Sequence, residues 1–197
     1  MGSYLAAARD QCINISEQLK NELPQFCFHF GAVFYRDEVD CPGEKYNHYS
    51  LKEDVTKLKN EISKETATGG GDEPEDWVGA YRLACDNMAW RDGTRLIIHI
   101  ADAPAHGSEW CGYSNHDEEN KKLYPMIQKC INKDIKIIGF QINDSAGTSF
   151  KKFKKEYDSK GGILCEIKNF NSNMGSKDIS HHFKDLVIES AHAAAPK

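Results

Sequence analysis

The stretch at Arg95–Ala101, RLIIHIA, is almost unbroken apolar sequence, and Asp102 follows it directly. Two runs of the same kind occur downstream, IKIIGFQI at residues 135–142 and GILCEIKNF at residues 162–170. Strands that are apolar on both faces are typical of parallel sheets with helices on each side. The three runs therefore predict the centre of a parallel sheet.

Helical patterns separate these runs and fill most of the remaining chain. In six segments, apolar side chains recur at the three- and four-residue spacing that is typical of amphipathic helices. These segments are residues 4–23, 53–64, 75–90, 118–132, 149–157 and 179–194. Residues 26–35 (FCFHFGAVFY) and the short stretch 48–51 have a strand-like composition. The alternation predicts an α/β fold, with helices on both faces of a mostly parallel central sheet, in a single domain over residues 1–197.

The composition excludes several classes of function. The 197 residues include 25 Lys and Arg against 30 Asp and Glu, a net charge of −5. This balance disfavours nucleic acid or an anionic membrane as the main partner, because both attract basic surfaces. No apolar run approaches the roughly 18 residues that span a bilayer, and the first residues lack the pattern of a signal peptide. The seven cysteines are widely spaced with no CxxC pair, which favours free thiols. Together these features predict a cytoplasmic protein.

Two carboxylates are expected at one edge of the predicted sheet. Ligands of such sheets bind outside the carboxyl ends of the strands, and Asp102 lies at that end of the first apolar run. Asp72 lies in a glycine-rich segment, TGGGDEPED at residues 68–76, which precedes a predicted helix and opens on the same edge. Carboxylates from separate loops suit a hard cation such as Mg²⁺, which takes few protein ligands and keeps several waters.

Both acids also have ordinary structural explanations. Asp72 and Glu75, with a proline between them, fit the start of a helix with a capping box. Asp102 fits the start of a turn before Pro104. The three glycines before Asp72 supply backbone freedom or a nest for an anion, but no GxxxxGK[ST] motif follows, which excludes a nucleotide P-loop.

A second group of potential ligands lies just downstream, at His106, Cys111 and His116. Zinc accepts histidine and cysteine as ligands. The spacing matches no common zinc motif, however, and a fourth ligand such as Cys41 would have to come from elsewhere in the chain. The pattern therefore favours an ordered loop over the sheet edge rather than a zinc site.

Three segments of the chain form a recognisable series in the same order and spacing. They are GAVFYRD at residues 31–37, TGGGDEPEDWVGAYRLA at residues 68–84 and RLIIHIADAPAHG at residues 95–107. The series resembles the von Willebrand factor A domain, above all the branch found beside alpha-type protein kinases and in hemicentin-like proteins. Residues 1–12 resemble the start of that family's first helix, so the likeness runs over nearly the whole chain.

The resemblance implies a metal-ion-dependent adhesion site at the carboxyl edge of the sheet. In that family three loops hold a divalent ion, Mg²⁺ or Mn²⁺, which keeps one position open for a carboxylate of a protein partner. Asp102 matches the acidic ligand of the third loop, and Asp72 matches a second-loop position where many members have Thr. Gly70, Gly71 and His106 are the expected neighbours of the ion. The family consists of binding modules, so the resemblance implies neither enzymatic activity nor a catalytic residue.

One departure from the family concerns its first strand and first metal loop, Asp-x-(Ser/Thr)-x-Ser. By the resemblance both would precede Met1, so that this chain would keep only Asp72 and Asp102 of the metal ligands. The missing strand is a central one, and its loss leaves the predicted strands 26–35 and 95–101 without a shared neighbour. Unpaired backbone on interior strands is costly. We expect marginal stability, a gap filled by another segment or by self-association, or direct pairing of the two strands.

Three functions are consistent with the sequence. The first is a divalent-metal-dependent, adhesion-type protein-binding module that forms part of a larger signalling or scaffold protein. The second is a metal-dependent hydrolase that uses Asp72, Asp102 and His106. The third is an interaction domain without bound metal, in which the acids only cap local structure. The resemblance favours the first.

Overall fold

Helices and strands alternate along the chain, as the apolar runs predict. The computed structural model describes residues 1–37, 46–68, 71–113, 116–170 and 176–196. The helices are α1 (Gly2–Glu22), α2 (Val55–Ile62), α3 (Trp77–Asp86), α4 (Ser108–Cys111), α5 (Leu123–Asn132), α6 (Ser145–Ser159) and α7 (Ser176–Ala194). The strands are β1 (Phe30–Tyr35), β2 (Tyr46–Lys52), β3 (Arg95–Ala101), β4 (Ile135–Gln141) and β5 (Cys165–Asn169). None of the described helices combines the length and apolar character that crossing a bilayer requires.

The three apolar runs form a parallel sheet in the order β3-β4-β5. β3 pairs with β4 along its whole length, from Arg95 opposite Ile135 to Ala101 opposite Gln141. β5 continues the sheet on the other side of β4. The prediction of an α/β chain with a parallel sheet is confirmed.

The middle strand is buried on both faces because helices cover each side. Ile135 and Ile137 lie in one apolar core with residues of α3, α5 and α6. Ile138 and Phe140 lie in a second core with residues of α1 and α7. Alternate residues of a strand point to opposite faces, which explains why the β4 run shows no apolar–polar alternation.

A separate antiparallel pair lies beside this sheet. β1 pairs with β2 in a register that places Val33 opposite His48 and Tyr35 opposite Tyr46. The predicted edge strand 48–51 is therefore present and extends over Tyr46–Lys52, whereas the predicted strand 26–35 begins only at Phe30. Most of the polar connection between them, residues 38–45, lies outside the described part of the chain.

β1 and β3 end at the same edge but do not pair with each other. Among the described residues, no strand joins the two sheets. A cavity of about 1340 Å³ lies between β1 and β3 and is otherwise lined mainly by helices α1, α2, α3 and α7. We call it the inter-strand cavity. It exceeds the 300–1,000 Å³ typical of small-molecule pockets. The expectation of direct pairing is thus wrong, and self-association that covers the gap stays a prediction.

The start of α3 differs from the prediction. The helix begins at Trp77, and the Asp76 side chain accepts a hydrogen bond from Gly79 N at 2.7 Å. Asp76 is therefore the helix cap, and the proposed capping box of Asp72 and Glu75 is wrong. A carboxylate bonded to the third helical N–H satisfies a donor that the helix itself leaves unpaired.

A proline accounts for the later start of α5. The predicted helix 118–132 would hold Pro125 in its interior, where the ring removes a hydrogen bond and clashes with the preceding turn. In the structure α5 begins at Leu123, so that the proline lies in the first turn, and Asp117–Glu119 form a separate 3-10 helix. The short helix α4 was missed because four residues carry no periodic signal.

The buried thiols agree with the predicted absence of a disulfide framework. The six described cysteines are free. Cys85 on α3 and Cys130 on α5 face each other in the core with 3.5 Å between their sulfur atoms. Cys41 lies outside the described residues.

His99 on β3 is a neutral core histidine. Its Nε2 atom lies 2.9 Å from the Tyr35 hydroxyl, and its Nδ1 atom lies 3.0 Å from the Tyr81 hydroxyl. The side chain thus links β1, β3 and α3 below the carboxyl edge. Burial lowers the pKa of His99 to about 3.

The buried imidazole makes stability depend on pH. The unfolded chain binds a proton at His99 below pH about 6.5, whereas the folded chain resists it down to about 3. The contribution of His99 is therefore fully present above about 6.5 and declines as the pH falls toward 3, by at most about 1.4 kcal/mol per pH unit. We expect His99→Phe to flatten the pH dependence of the unfolding free energy between pH 6 and 4, measured by urea denaturation. The exposed His48→Gln should keep the wild-type slope, and an unchanged slope in His99→Phe would contradict the assignment.

The free edge of β3 gives a second prediction, for hydrogen exchange. Ile142 N–H donates a hydrogen bond to the Ala101 carbonyl at 3.0 Å, so the backbone groups of Ala101 point toward β4. In a parallel pair every second residue does the same, so the backbone groups of His99 and Ile97 also point toward β4. The three residues between them face the inter-strand cavity. These are Leu96, Ile98 and Ile100.

We expect the amides of these three residues to exchange with deuterium about tenfold faster, or more, than those of Ile97 and His99, because they lack a strand partner. Amide-resolved exchange measured by NMR tests this. Equal protection of both sets would show that a strand occupies the cavity in solution.

Candidate functional site

Three chain segments meet at the edge where β1 and β3 end, which we call the carboxyl edge. Asp37 follows β1, and the segment from Asp102 to His106 follows β3. The segment before α3 lies alongside the second of these, because Glu75 N–H donates to the Pro104 carbonyl at 2.8 Å and His106 N–H donates to the Glu75 carbonyl at 3.3 Å. Backbone pairing thus brings the acidic segment before α3 next to the end of β3.

A buried acid–histidine pair forms the floor of this edge. Asp37 is 4% exposed and His106 is 8% exposed. Asp37 Oδ2 is hydrogen-bonded to His106 Nε2 at 2.9 Å. The other oxygen, Oδ1, is buried and has no hydrogen-bond partner among the described residues. Burial lowers the pKa of His106, but the hydrogen bond to Asp37 and the charges of Asp37 and Glu119 outweigh it, so that the pKa is raised overall.

A second acid–histidine pair lies directly above the first. His116 Nε2 is 3.1 Å from Asp72 Oδ2. The His106 and His116 rings stack with 4.3 Å between their centroids. His116 adopts a left-handed backbone conformation with φ 46°, which few residues other than glycine adopt. The loop geometry places the second imidazole on top of the first.

The two pairs form one four-residue cluster. Asp37, Asp72, His106 and His116 each offer a ligand atom, and these atoms all lie within 4.8 Å of one another. They come from four separate segments of the chain. Two imidazole nitrogens and two carboxylates are a donor set that a divalent transition metal accepts.

Asp76 supports the cluster from the side of α3. It caps the helix, accepts a hydrogen bond from the Tyr46 hydroxyl, and groups with His106 and Glu119. Burial and then the hydrogen bond to Asp76 raise the pKa of Tyr46. The Tyr46 ring lies so close to Gly79 that a Cβ atom there would overlap the phenol.

The two predicted metal ligands reach the same edge but have different partners. Asp72 pairs with His116, whereas Asp102 Oδ2 accepts a hydrogen bond from the amino group of Met1 at 2.8 Å. Both residues line the inter-strand cavity. Among the described residues, no group of three mutually close ligands contains Asp102. A shared ion at Asp72 and Asp102 stays a prediction.

The other predicted neighbours of the ion are placed as follows. His106 belongs to the buried pair with Asp37, and its ligand atom lies within 4.8 Å of that of Asp72. Its place beside an ion stays a prediction. Gly71 is exposed at the start of the segment before α3. Gly70 lies outside the described residues.

The structure separates the three residues that had been considered for zinc. His106 and His116 are together, but Cys111 Sγ donates to the Tyr113 carbonyl at 3.0 Å and is absent from the cluster. Cys41 lies outside the described residues. Asp37 is a potential ligand that the sequence analysis did not single out. The rule that pointed to Asp102 could have found it, because Asp37 lies two residues after the end of a predicted strand.

Comparison with known proteins gives one informative similarity. No family model matches the chain. The chain is similar to the alpha-protein kinase vwkA of Dictyostelium discoideum, with 28% identity over 183 residues, which cover 90% of this chain and 29% of that protein. The chain thus spans less than a third of the relative's length.

The contact between Tyr46 and Gly79 yields a prediction about protein stability. Gly→Ala inside a helix is normally stabilising by about 1 kcal/mol. Here we expect Gly79→Ala to destabilise by about 1–3 kcal/mol, because the new Cβ would push Tyr46 away from Asp76. The measurement is the unfolding free energy in urea.

The control for this prediction is the same substitution in a Tyr46→Ala background. There the space above position 79 is open, and Gly79→Ala should become neutral or stabilising. A stabilising effect in the wild-type background would contradict the packing described.

Proposed function

We propose that this chain is a protein-binding module of the von Willebrand factor A type that holds a divalent cation, Mg²⁺ or Mn²⁺, at its carboxyl edge. The ion presents an open coordination position to a carboxylate of a protein partner. The three sequence segments that resemble this family support the proposal. The similarity to an alpha-protein kinase over 90% of the chain supports the branch of the family.

The observation that supports the proposal is that the segments carrying Asp72 and Asp102 run side by side at one edge. Backbone hydrogen bonds hold the two segments side by side, and both residues border the same cavity. Their side chains are 36% and 33% exposed, so that a cation between them stays accessible from solvent. Mg²⁺ suits such a site because it takes one or two carboxylates and completes its shell with water.

A role in recognition within a larger protein follows from the same comparison. The chain corresponds to 29% of vwkA, and we assign no kinase activity to it. The module would supply partner binding to a signalling or scaffold protein. We propose the binding module rather than the hydrolase because the three sequence segments that resemble the family favour a binding function.

Calorimetric titration of the chain with Mg²⁺ and with Mn²⁺ tests metal binding. We expect Asp102→Ala to weaken binding at least about tenfold, because it removes a direct ligand. Asp10→Ala, on the exposed face of α1, is the matched control and should bind like the wild type. Equal heats for the wild type and Asp102→Ala would favour an interaction domain without bound metal.

Recognition of a carboxylate can be tested on the Mn²⁺-loaded chain. Acetate is expected to displace a metal-bound water, which lowers the water-proton relaxation enhancement. Chloride at the same ionic strength should not lower it. No difference between the two anions would contradict an open position for a carboxylate.

A further inference from the structure

We propose that Asp37, Asp72, His106 and His116 form a second metal site, for a divalent transition ion of the zinc class. The site goes beyond the proposed adhesion-type function and shares only Asp72 with it. It joins the loop after β1, the segment before α3, the loop after β3 and the segment that leads to α5.

The four donor atoms lie close to one another. The Nε2 atom of each histidine faces one carboxylate, at 2.9 Å for His106 with Asp37 and at 3.1 Å for His116 with Asp72. All four ligand atoms lie within 4.8 Å of one another. Donors bound to zinc at 2.0–2.2 Å lie about 3.3–3.6 Å apart in a tetrahedron. A small contraction of the cluster would therefore complete the site.

Asp37 supplies an independent indication of a missing cation. Its side chain is 5% exposed, and its Oδ1 atom has no hydrogen-bond partner among the described residues. A buried carboxylate oxygen without a partner is costly. A metal ion bound through Oδ1, or through both oxygens of Asp37, would remove this cost.

Each histidine also has an acid behind its other nitrogen. His106 Nδ1 lies 3.7 Å from Glu119 Oε2, and His116 Nδ1 lies 3.6 Å from Glu118 Oε1. Both glutamates belong to the 3-10 helix Asp117–Glu119. Metal-binding histidines usually donate their second N–H to a carboxylate, which fixes the tautomer and orients the ring. At 3.7 and 3.6 Å the two contacts are longer than hydrogen bonds, so the 3-10 helix places an acid near each second nitrogen and a small shift would be needed to form the support.

The donor set selects the kind of ion. Mg²⁺ and Ca²⁺ prefer oxygen ligands, whereas imidazole suits zinc and its neighbours in the transition series. Two of the four donors here are imidazole nitrogens. Asp102 does not take part, so this site and the proposed magnesium site differ in both ligands and ion.

Use of Asp72 by both sites couples them. Zinc on Asp72 and His116 would take a ligand away from the ion at Asp102. We therefore expect bound Zn²⁺ to weaken Mg²⁺ binding. The two ions compete for Asp72 alone, because Asp37 belongs only to the zinc site and Asp102 only to the magnesium site.

Zinc binding to the full chain, freed of metal by a chelator, tests the site. Isothermal titration with Zn²⁺ against a competing chelator is expected to show one tight equivalent. Asp37→Asn and His116→Gln should each weaken it about 100-fold, and Glu119→Gln about tenfold. His116 is partly exposed, so His116→Gln is expected to fold even if Asp37→Asn does not, and circular dichroism checks this.

A matched set of controls excludes other zinc ligands. Cys27, His29 and Glu53 form a further cluster of potential ligands, so every titration is repeated in a Cys27→Ser background. His48→Gln removes an exposed histidine and should leave the affinity unchanged. The tetrahedral absorption spectrum of Co²⁺ should appear in the Cys27→Ser chain and disappear when His116→Gln is added.

The outcomes distinguish this inference from the proposed function. Asp102→Ala should lose Mg²⁺ but keep Zn²⁺, His116→Gln should keep Mg²⁺ but lose Zn²⁺, and Asp72→Ala should lose both. Zinc affinity that is the same in the wild type, Asp37→Asn and His116→Gln would overturn the second site. In that case the cluster is a hydrogen-bonded acid–histidine network without metal.

Discussion

The parallel pairing of β3, β4 and β5 is the constraint on which the rest of the structure depends. β4 is buried on both faces, so helices must cover each side of the sheet. Parallel strands also end at a common edge, and the loops that follow them must gather there. The polar and acidic residues of these loops thus become neighbours although they are distant in sequence. The end of β3 contributes Asp102 and His106 to the proposed metal sites, whereas Asp37 comes from the end of β1 and Asp72 from the segment before α3.

The same sheet stops short of β1. In the described part of the chain, β1 pairs only with β2, and the inter-strand cavity separates it from β3. The two strands are nevertheless fixed relative to each other, by His99 beneath the carboxyl edge and by the Asp37–His106 pair at that edge. Side-chain contacts thus replace the backbone ladder that would otherwise join them. Among the described residues, the backbone groups of Leu96, Ile98 and Ile100 have no strand partner, which is energetically unfavourable. The protection of these amides from hydrogen exchange therefore shows whether a strand fills the cavity.

Charge at the carboxyl edge is divided between two chemically different sets of donors. Asp102 is partly exposed, which suits a hydrated hard cation. Asp37 is buried and grouped with two imidazoles, which suits a softer ion with fewer waters. Asp72 belongs to both proposed sites, so one ion would influence the other through it. The two proposals thus assign the edge a structural part and a recognition part.

The sequence by itself determined the α/β class, the bounds of β3 and the parallel centre of the sheet. These features depend on apolar periodicity, which is a local property of the chain. Only the tertiary structure decided the pairing of Asp37 with His106 across 69 residues, the stacking of His106 on His116, the cap at Asp76 and the separation of β1 from β3. The physical reason is that these contacts depend on side-chain direction and on the exact path of loops. Packing of the helices against the sheet sets both of these, and no periodic pattern in the sequence records them.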